Sequence, residues 1–394
     1  MAALRSSRGV AVALVTFATF TDIVAYSVAV PVLPDLSRKL GASPTMIGLL
    51  FASFGVTLLT VSIPMGEVSD RIGRKAPMVG GMLALAASTL LFAYANGLAW
   101  LFAARLVQGA ADAVTWVVGF ALIADRYGAD ERGRVSGIVM SGTSAAVMVG
   151  PTIGGWLYEI GGIRAPFLLV AALAVVAALA FLWLDVPAER AEAEHVPIRV
   201  VLQSRPVAVC AAVVVAISAT ISMLEPVLPL FLTEKLGLGP ARIGMLFGSG
   251  AVASAILHPI YGRLADRWGG RRLMMTGLLL AACALPLLNL SWSYPSTIVF
   301  FVLNTMAIAL VITPSLAFMA EAVSSAGVGS FGVGYGLYNM AWGAGLLGGP
   351  AIAGFVFERA GFARLTLLWA PLLVVVTLLL ARVQSAASPT EERS

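Results

Sequence analysis

Apolar runs of helical length alternate with short polar or Gly/Pro-marked breaks along the whole chain. Six lie near residues 9–33, 44–66, 77–96, 98–124, 135–158 and 165–185, and six more near 206–232, 241–264, 272–292, 296–321, 328–357 and 363–384. A helix needs about 20 mostly apolar residues to cross a bilayer, so the pattern predicts an all-α membrane protein with twelve spans. The most polar internal stretch runs from Val186 to Arg205 and holds Glu189, Arg190, Glu192, Glu194, His195, Arg199 and Arg205. It reads as a solvated cytoplasmic linker. The expected organisation is therefore a six-helix bundle over 1–185, a linker over 186–205 and a second six-helix bundle over 206–394.

Composition narrows the function class. Of 394 residues, 59% are apolar and 11% charged, where a soluble protein carries roughly 25% charge. Twelve spans leave connections averaging about 10 residues, too short for a soluble catalytic domain. No HExxH, nucleophile elbow or paired intramembrane aspartate motif is present, so an enzyme is not expected. The net charge of +5 sits in loops rather than on one face with stacking aromatics, which argues against nucleic acid. Cys210 and Cys283 both fall in apolar runs, so neither a disulfide framework nor a metal site is indicated. No cofactor is expected. The weakly basic start, Met1 to Arg8, leads into an apolar run carrying Asp22 without a small-residue cleavage site, and is read as a retained first span.

Charge in the breaks also sets an orientation. With both termini inside, 17 of the 25 Lys and Arg fall in cytoplasmic segments, seven on the opposite side, and Arg105 within a span. Basic loops resist translocation, so a multi-pass protein of the plasma (inner) membrane with both termini cytoplasmic is expected. The halves repeat as well. Gly66-Glu-Val-Ser-Asp70-Arg71-Ile-Gly73-Arg74-Lys75 is answered 196 residues later by Gly262-Arg-Leu-Ala-Asp266-Arg267-Trp-Gly269. Pro31-Val-Leu-Pro34, which is read as ending the first span, recurs as Pro226-Val-Leu-Pro229, and Gly150-Pro151 recurs as Gly349-Pro350. Parallel repeats of this kind belong to transporters whose site lies between the halves.

These residues carry a resemblance to the major facilitator superfamily over the full length. The loop G-x-x-x-D-R-x-G-R-K, complete at Gly66 to Lys75, is a specific signature, and Arg105-Leu-Val-Gln-Gly109 resembles the family's span-four motif. Gly150-Pro151-Thr-Ile-Gly154-Gly155 resembles the span-five motif of proton-driven exporters. Met223-Leu-Glu225-Pro226-Val-Leu-Pro229, Gly48-Leu-Leu-Phe-Ala-Ser53 and Leu157-Tyr158-Glu159 look like the vesicular monoamine transporters and their bacterial drug/proton antiporter relatives. The resemblance implies gate motifs at Gly66, Asp70, Arg71, Gly73, Arg74, Asp266 and Arg267, and an antiporter motif at Gly150, Pro151 and Gly154. It departs from the monoamine pattern at three places: Phe54 stands where that family has a lysine, Asn339 and Ala309 where it has aspartates. Loss of both partners of a buried ion pair leaves no orphan charge.

Ionisable residues deep in spans are costly and mark function or pairing. Asp22, Arg105, Asp112 and Glu225 stand out. Asp22 matches the branch's acidic residue for a cationic substrate, with a salt bridge to Arg105 as its structural alternative. Glu225 precedes Pro226, whose missing N–H would bend or open span seven. Arg105 and Asp112, seven apart on one face, are expected to pair internally or with Asp22, with Arg105 as electrostatic organiser. Tyr26 and Trp116 could wall a cation with aromatic faces. Phe231, Tyr335 and Asn339 complete the substrate-binding set, and Asp22, Glu225 and Asp112 the proton-coupling set. Glu321 reads as a loop charge and His258 as structural. The expected protein is a proton-coupled exporter of hydrophobic, cationic small molecules, a multidrug-efflux type of antiporter acting by alternating access. Its partners are protons, that substrate and membrane lipid, and the monomer suffices. The alternative is a facilitator or symporter for a neutral nutrient.

Overall fold

The computed structural model describes residues 8–184, 204–325 and 331–382. The first six helices are α1 (Arg8–Lys39), α2 (Pro44–Ile72), α3 (Lys75–Ala93), α4 (Leu98–Arg126), α5 (Ala129–Gly161) and α6 (Arg164–Trp183). After the linker, nearly all of which lies outside the described residues, come α7 (Arg205–Leu236), α8 (Pro240–Trp268), α9 (Gly270–Leu287) and α10 (Tyr294–Ser325). The run Phe331–Ala381 holds 51 residues, roughly 75 Å at 1.5 Å per residue and far more than one bilayer. It breaks at Gly361, whose φ of 77° is left-handed, giving α11 over 331–360 and α12 over 362–381. The protein is thus a twelve-helix bundle of two six-helix halves, with all its described regular structure helical, as lipid demands of a chain that must satisfy its own backbone.

At two proline sites the helix runs on where an end or an opening was expected. The first span does not end at Pro34, because α1 continues to Lys39 through both Pro31 and Pro34. Nor does Pro226 open span seven, since α7 is unbroken from Arg205 to Leu236. A proline removes one hydrogen bond, whereas opening the helix would strand several polar groups.

Each half faces the other through stripes of glycine, and the contacts concentrate at the distal end, opposite the termini. A Cβ on Gly48 of α2 would collide with the carbonyl oxygen of Pro350 in α11, and one on Gly354 would fall 2.5 Å from that of Pro44. The α5–α8 seam repeats this pattern: Gly244 meets the Pro151 carbonyl and Gly155 meets that of Pro240. Close backbone approach is how helices associate without a hydrophobic drive. Gly150 and Gly154 serve a different seam. They abut Ser27 and Val28 of α1, where a Cβ on Gly154 would fall 2.8 Å from Val28 Cα, within the first half.

The described hydrogen bonds between the halves, Tyr26–Glu225, Thr45–Glu358, Thr152–Gly244 and Ala241–Glu159, lie from mid-span to the distal end. Among the described residues the halves are tied distally, and the side of the termini is open of such ties.

The signature loop sits at that open end. Gly73 ends α2 with φ 85°, and Arg74, 7% exposed, reaches Asp125 of α4 at 2.8 Å and Asp70 at 2.5 Å while donating to Ser69 at 2.6 Å. These ties run between α2 and α4, inside one half, so in this state the loop clamps a half rather than latching the two together. Burial opposes the charge on Arg74, yet hydrogen bonds and attraction from Asp125 and Asp70 outweigh it and raise its pKa above the ordinary value. A raised pKa contributes stability below the unfolded value and loses it only as pH climbs through the raised one. The clamp therefore persists across neutral and mildly alkaline pH. Asp125→Asn is expected to cost about 1–3 kcal/mol as a charged hydrogen bond is lost. Glu67→Gln, which breaks a 3.9 Å pair of exposed residues, should cost no more than about 0.5 kcal/mol. Thermal unfolding of the purified variants, compared side by side, checks the ranking. Asp266 and Arg267 in the second copy are exposed and make no ion pair among the described residues.

Candidate functional site

Asp22, Arg105, Asp112 and Glu225 are 1%, 0%, 7% and 6% exposed, and the fold arranges them in two tiers where α1, α4 and α7 approach. The spacing of each helix creates the tiers. Asp22 and Tyr26 are four apart on α1, about 6 Å along the axis. Arg105 and Asp112 are seven apart on α4, about 10 Å.

The distal tier joins the halves. The Tyr26 hydroxyl of α1 donates to Glu225 Oε2 of α7 at 2.5 Å. Beside it the Arg105 guanidinium lies over the Phe51 ring at 4.5 Å, with the rings of Tyr26, Phe92 and Phe54 at 5.4, 5.8 and 5.9 Å. Its Nη1 donates to Gln108 Oε1 at 2.9 Å. Phe54, in the place of the family's lysine, packs edge-on to Tyr26 at 4.9 Å and so is a wall of this box. In the proximal tier the carboxyls of Asp22 and Asp112 face one another with the Trp116 indole beside both. Trp116 also stacks on Phe120 at 5.7 Å.

The expected ion pairs of Arg105 are not formed. It bonds neither Asp22 nor Asp112, and among the described residues its Nε and Nη2 are buried without hydrogen-bond partners, as are Asp22 Oδ2 and Gln108 Nε2. Seven residues put Arg105 and Asp112 about 10 Å apart along α4, and the Arg105 side chain is taken up by the rings and Gln108 around it. Its charge is met by aromatic faces instead, and it feels Tyr26 and Glu225 through space. A planar guanidinium stacks where an ammonium does not. Arg105→Lys is therefore expected to lose about 0.5–2 kcal/mol of cation–π stabilisation, read as a lower melting temperature with folding retained.

The remaining candidates scatter. Phe231 lies six residues distal of Glu225 and stacks on Phe362 of α12 at 4.2 Å, outside both tiers. Asn339 is exposed on α11, and Tyr335 lies outside the residues whose side chains are described. Exposed Glu321 sits near the open end of α10, and His258 Nδ1 meets Thr313 Oγ1 at 2.9 Å. Gln108, Phe51 and Phe92 were not singled out from sequence. Gln108 and Phe51 flank motif positions, at i+3 of Arg105 and i+3 of Gly48, and that helical periodicity was the available signal.

Comparison with known proteins places this geometry. The family profile described as Major Facilitator Superfamily matches residues 15–221 and 210–394. The human synaptic vesicular amine transporter is 28% identical over 333 residues, 84% of this chain and 65% of that protein. The human vesicular acetylcholine transporter is 31% identical over 349 residues, again 84% and 65%. The chain thus spans about two thirds of the length of these relatives. A bacterial homologue of the human lysosomal transporter Spinster, solved inward-facing and unoccupied, superposes with TM-score 0.77 at 15% identity, covering 95% of this chain and 96% of that one. At that identity the likeness concerns the fold.

Proposed function

The chain belongs to the Major Facilitator Superfamily, a family of transporters, and from that premise we propose that it is a proton-coupled antiporter exporting hydrophobic, cationic small molecules. The observation that carries this reading is the Tyr26–Glu225 hydrogen bond between the halves, set in a site where, among the described residues, three buried carboxyls, Asp22, Asp112 and Glu225, outnumber the one cation Arg105. Such an excess favours a protonated amine or protons themselves, because an uncompensated buried carboxylate is costly. The amine-transporter relatives support the same substrate class.

With the termini cytoplasmic, as the loop charges favour, the open side is the cytoplasm and the plasma membrane the site of action. A lipophilic cation entering from that side meets the Asp22–Asp112 tier, with Trp116 as its aromatic wall. Rocking of one half against the other breaks the distal glycine seams and carries the site outward. Protons arriving at Glu225 and Asp22 then neutralise the anionic site and release the cation. On return, deprotonation toward the cytoplasm restores the Tyr26–Glu225 bridge. Arg105 holds the bridge carboxylate in a positive field and keeps the two tiers distinct.

The test is proton movement in proteoliposomes that contain purified protein and an internal pH dye, challenged with a panel of lipophilic amines and cationic dyes. An evoked flux that vanishes in Asp22→Asn establishes the antiporter. Equilibration of a neutral sugar or nucleoside without proton movement would instead establish a facilitator.

A further inference from the structure

The distal seal ends in two carboxylates that each reach across to the opposite half. Glu159, near the C-terminus of α5, accepts from the backbone N–H of Ala241 in the first turn of α8 at 3.0 Å. Glu358, near the end of α11, accepts from the N–H of Thr45 in the first turn of α2 at 2.8 Å. The two are equivalent in the internal repeat. Glu159 and Glu358 are 199 residues apart, as are Pro151 and Pro350, while Thr45 and Ala241 are 196 apart, as are Pro44 and Pro240. One hydrogen bond thus occurs twice, from each half to the other.

Helix-end chemistry explains the pairing. The first N–H groups of a helix have no partner inside it, and α2 and α8 both place proline at N1, which removes one such donor. On α2, Ser43 caps Met46 at 3.4 Å, leaving Thr45 to Glu358. On α8 the cap position is Gly239, with no side chain to offer, and a Cβ there would fall 2.6 Å from Glu159 Oε1. The carboxylate from the other half is therefore the side-chain cap of α8, and both carboxylates meet the positive end of a helix dipole.

We propose that Glu159 and Glu358 are twin latches of the distal gate, stabilising the state closed at that end. Both bonds exist only while the halves touch distally, so both are broken by the rocking that opens that side. This rests on alternating access but not on the identity of cargo or coupling ion. Each exposed carboxylate at a helix N-terminus shifts the closed-to-open ratio about two- to fivefold, and distant sites add in free energy, so the double variant shifts it by the product. Glu159 has the larger effect, because Gly239 offers no substitute cap.

The experiment is single-molecule fluorescence transfer in nanodiscs between dyes on Asn96→Cys and Trp292→Cys, in the distal loops of the two halves, with Cys210 and Cys283 replaced by alanine. Closed-state dwell times should shorten about two- to fivefold in Glu159→Ala, less in Glu358→Ala, and multiplicatively in the double variant. Glu159→Gln, which keeps an acceptor without the charge, should fall between wild type and alanine and serves where alanine misfolds. Unchanged dwell times in a folded double variant, or a chain that stays equally closed with and without both carboxylates, would overturn the latch. Because the readout is opening and not transport, failure of the antiporter reading leaves this result interpretable.

Discussion

Glu225→Gln is expected to cut substrate-evoked proton flux sharply while leaving the protein folded and able to bind its cation. Glu225 is the carboxyl that bridges the halves through Tyr26, and glutamine keeps the acceptor oxygen and the shape while removing the exchangeable proton. Coupling between two ligands is typically worth about 1–3 kcal/mol, or 5- to 150-fold in affinity. In the variant the Glu225 share of that factor should be lost: substrate affinity measured at two pH values should differ less than in the wild type, which weakens as protons are added, and the remaining dependence belongs to Asp22. Tyr26→Phe separates bridge from proton site. It removes the donor of the 2.5 Å bond but leaves the carboxyl, so it should retain proton-dependent binding with slower turnover. Wild-type coupling in Glu225→Gln would return this carboxyl to a structural role.

The second large effect falls on the glycine seams. Gly244→Ala puts a methyl against the carbonyl oxygen of Pro151, and Gly48→Ala puts one against that of Pro350. A backbone carbonyl within a helix cannot swing aside as a flexible side chain does. Overpacking of this kind costs about 1–3 kcal/mol, and here the cost is confined to the distally closed state, since the seams come apart when that side opens. Either variant should shift the conformational ratio toward the distally open form by about 5- to 150-fold, read with the same distal-loop dyes, and should cut transport accordingly. Gly80→Ala, whose Cβ would meet nothing within 4 Å, is the control expected to behave as wild type. Equal closure in Gly244→Ala and Gly80→Ala would show that the seam is looser than its backbone contacts indicate.

Much of this protein could be read from residue order. The span positions follow from the length of apolar runs, because lipid admits only self-satisfied helices of about 20 residues or more; most predicted limits fall within a few residues of the helices. The duplication followed from spacings of 195 to 199 residues, and the buried charges from the rarity of Asp, Glu and Arg in such runs. The tertiary structure decided who meets whom. Arg105 and Asp112 share a helix face, which suggested a pair, but about 10 Å of helix lies between them and the packing gives Arg105 to Phe51, Tyr26 and Gln108. Tyr26 and Glu225 lie 199 residues apart, and no local pattern connects them. Phe231 was expected in the substrate-binding set, and its stack on Phe362 is a contact that only the packed bundle shows. Glu159 entered the sequence reading only within the Leu157-Tyr158-Glu159 motif and Glu358 not at all; the packing of the halves sets each on a helix terminus of the opposite half. Sequence thus determined the elements and their chemistry, since those depend on local periodicity and on the solvent each residue tolerates. The pairings depended on helix rotation and on contact between the halves, which exist only in the assembled bundle.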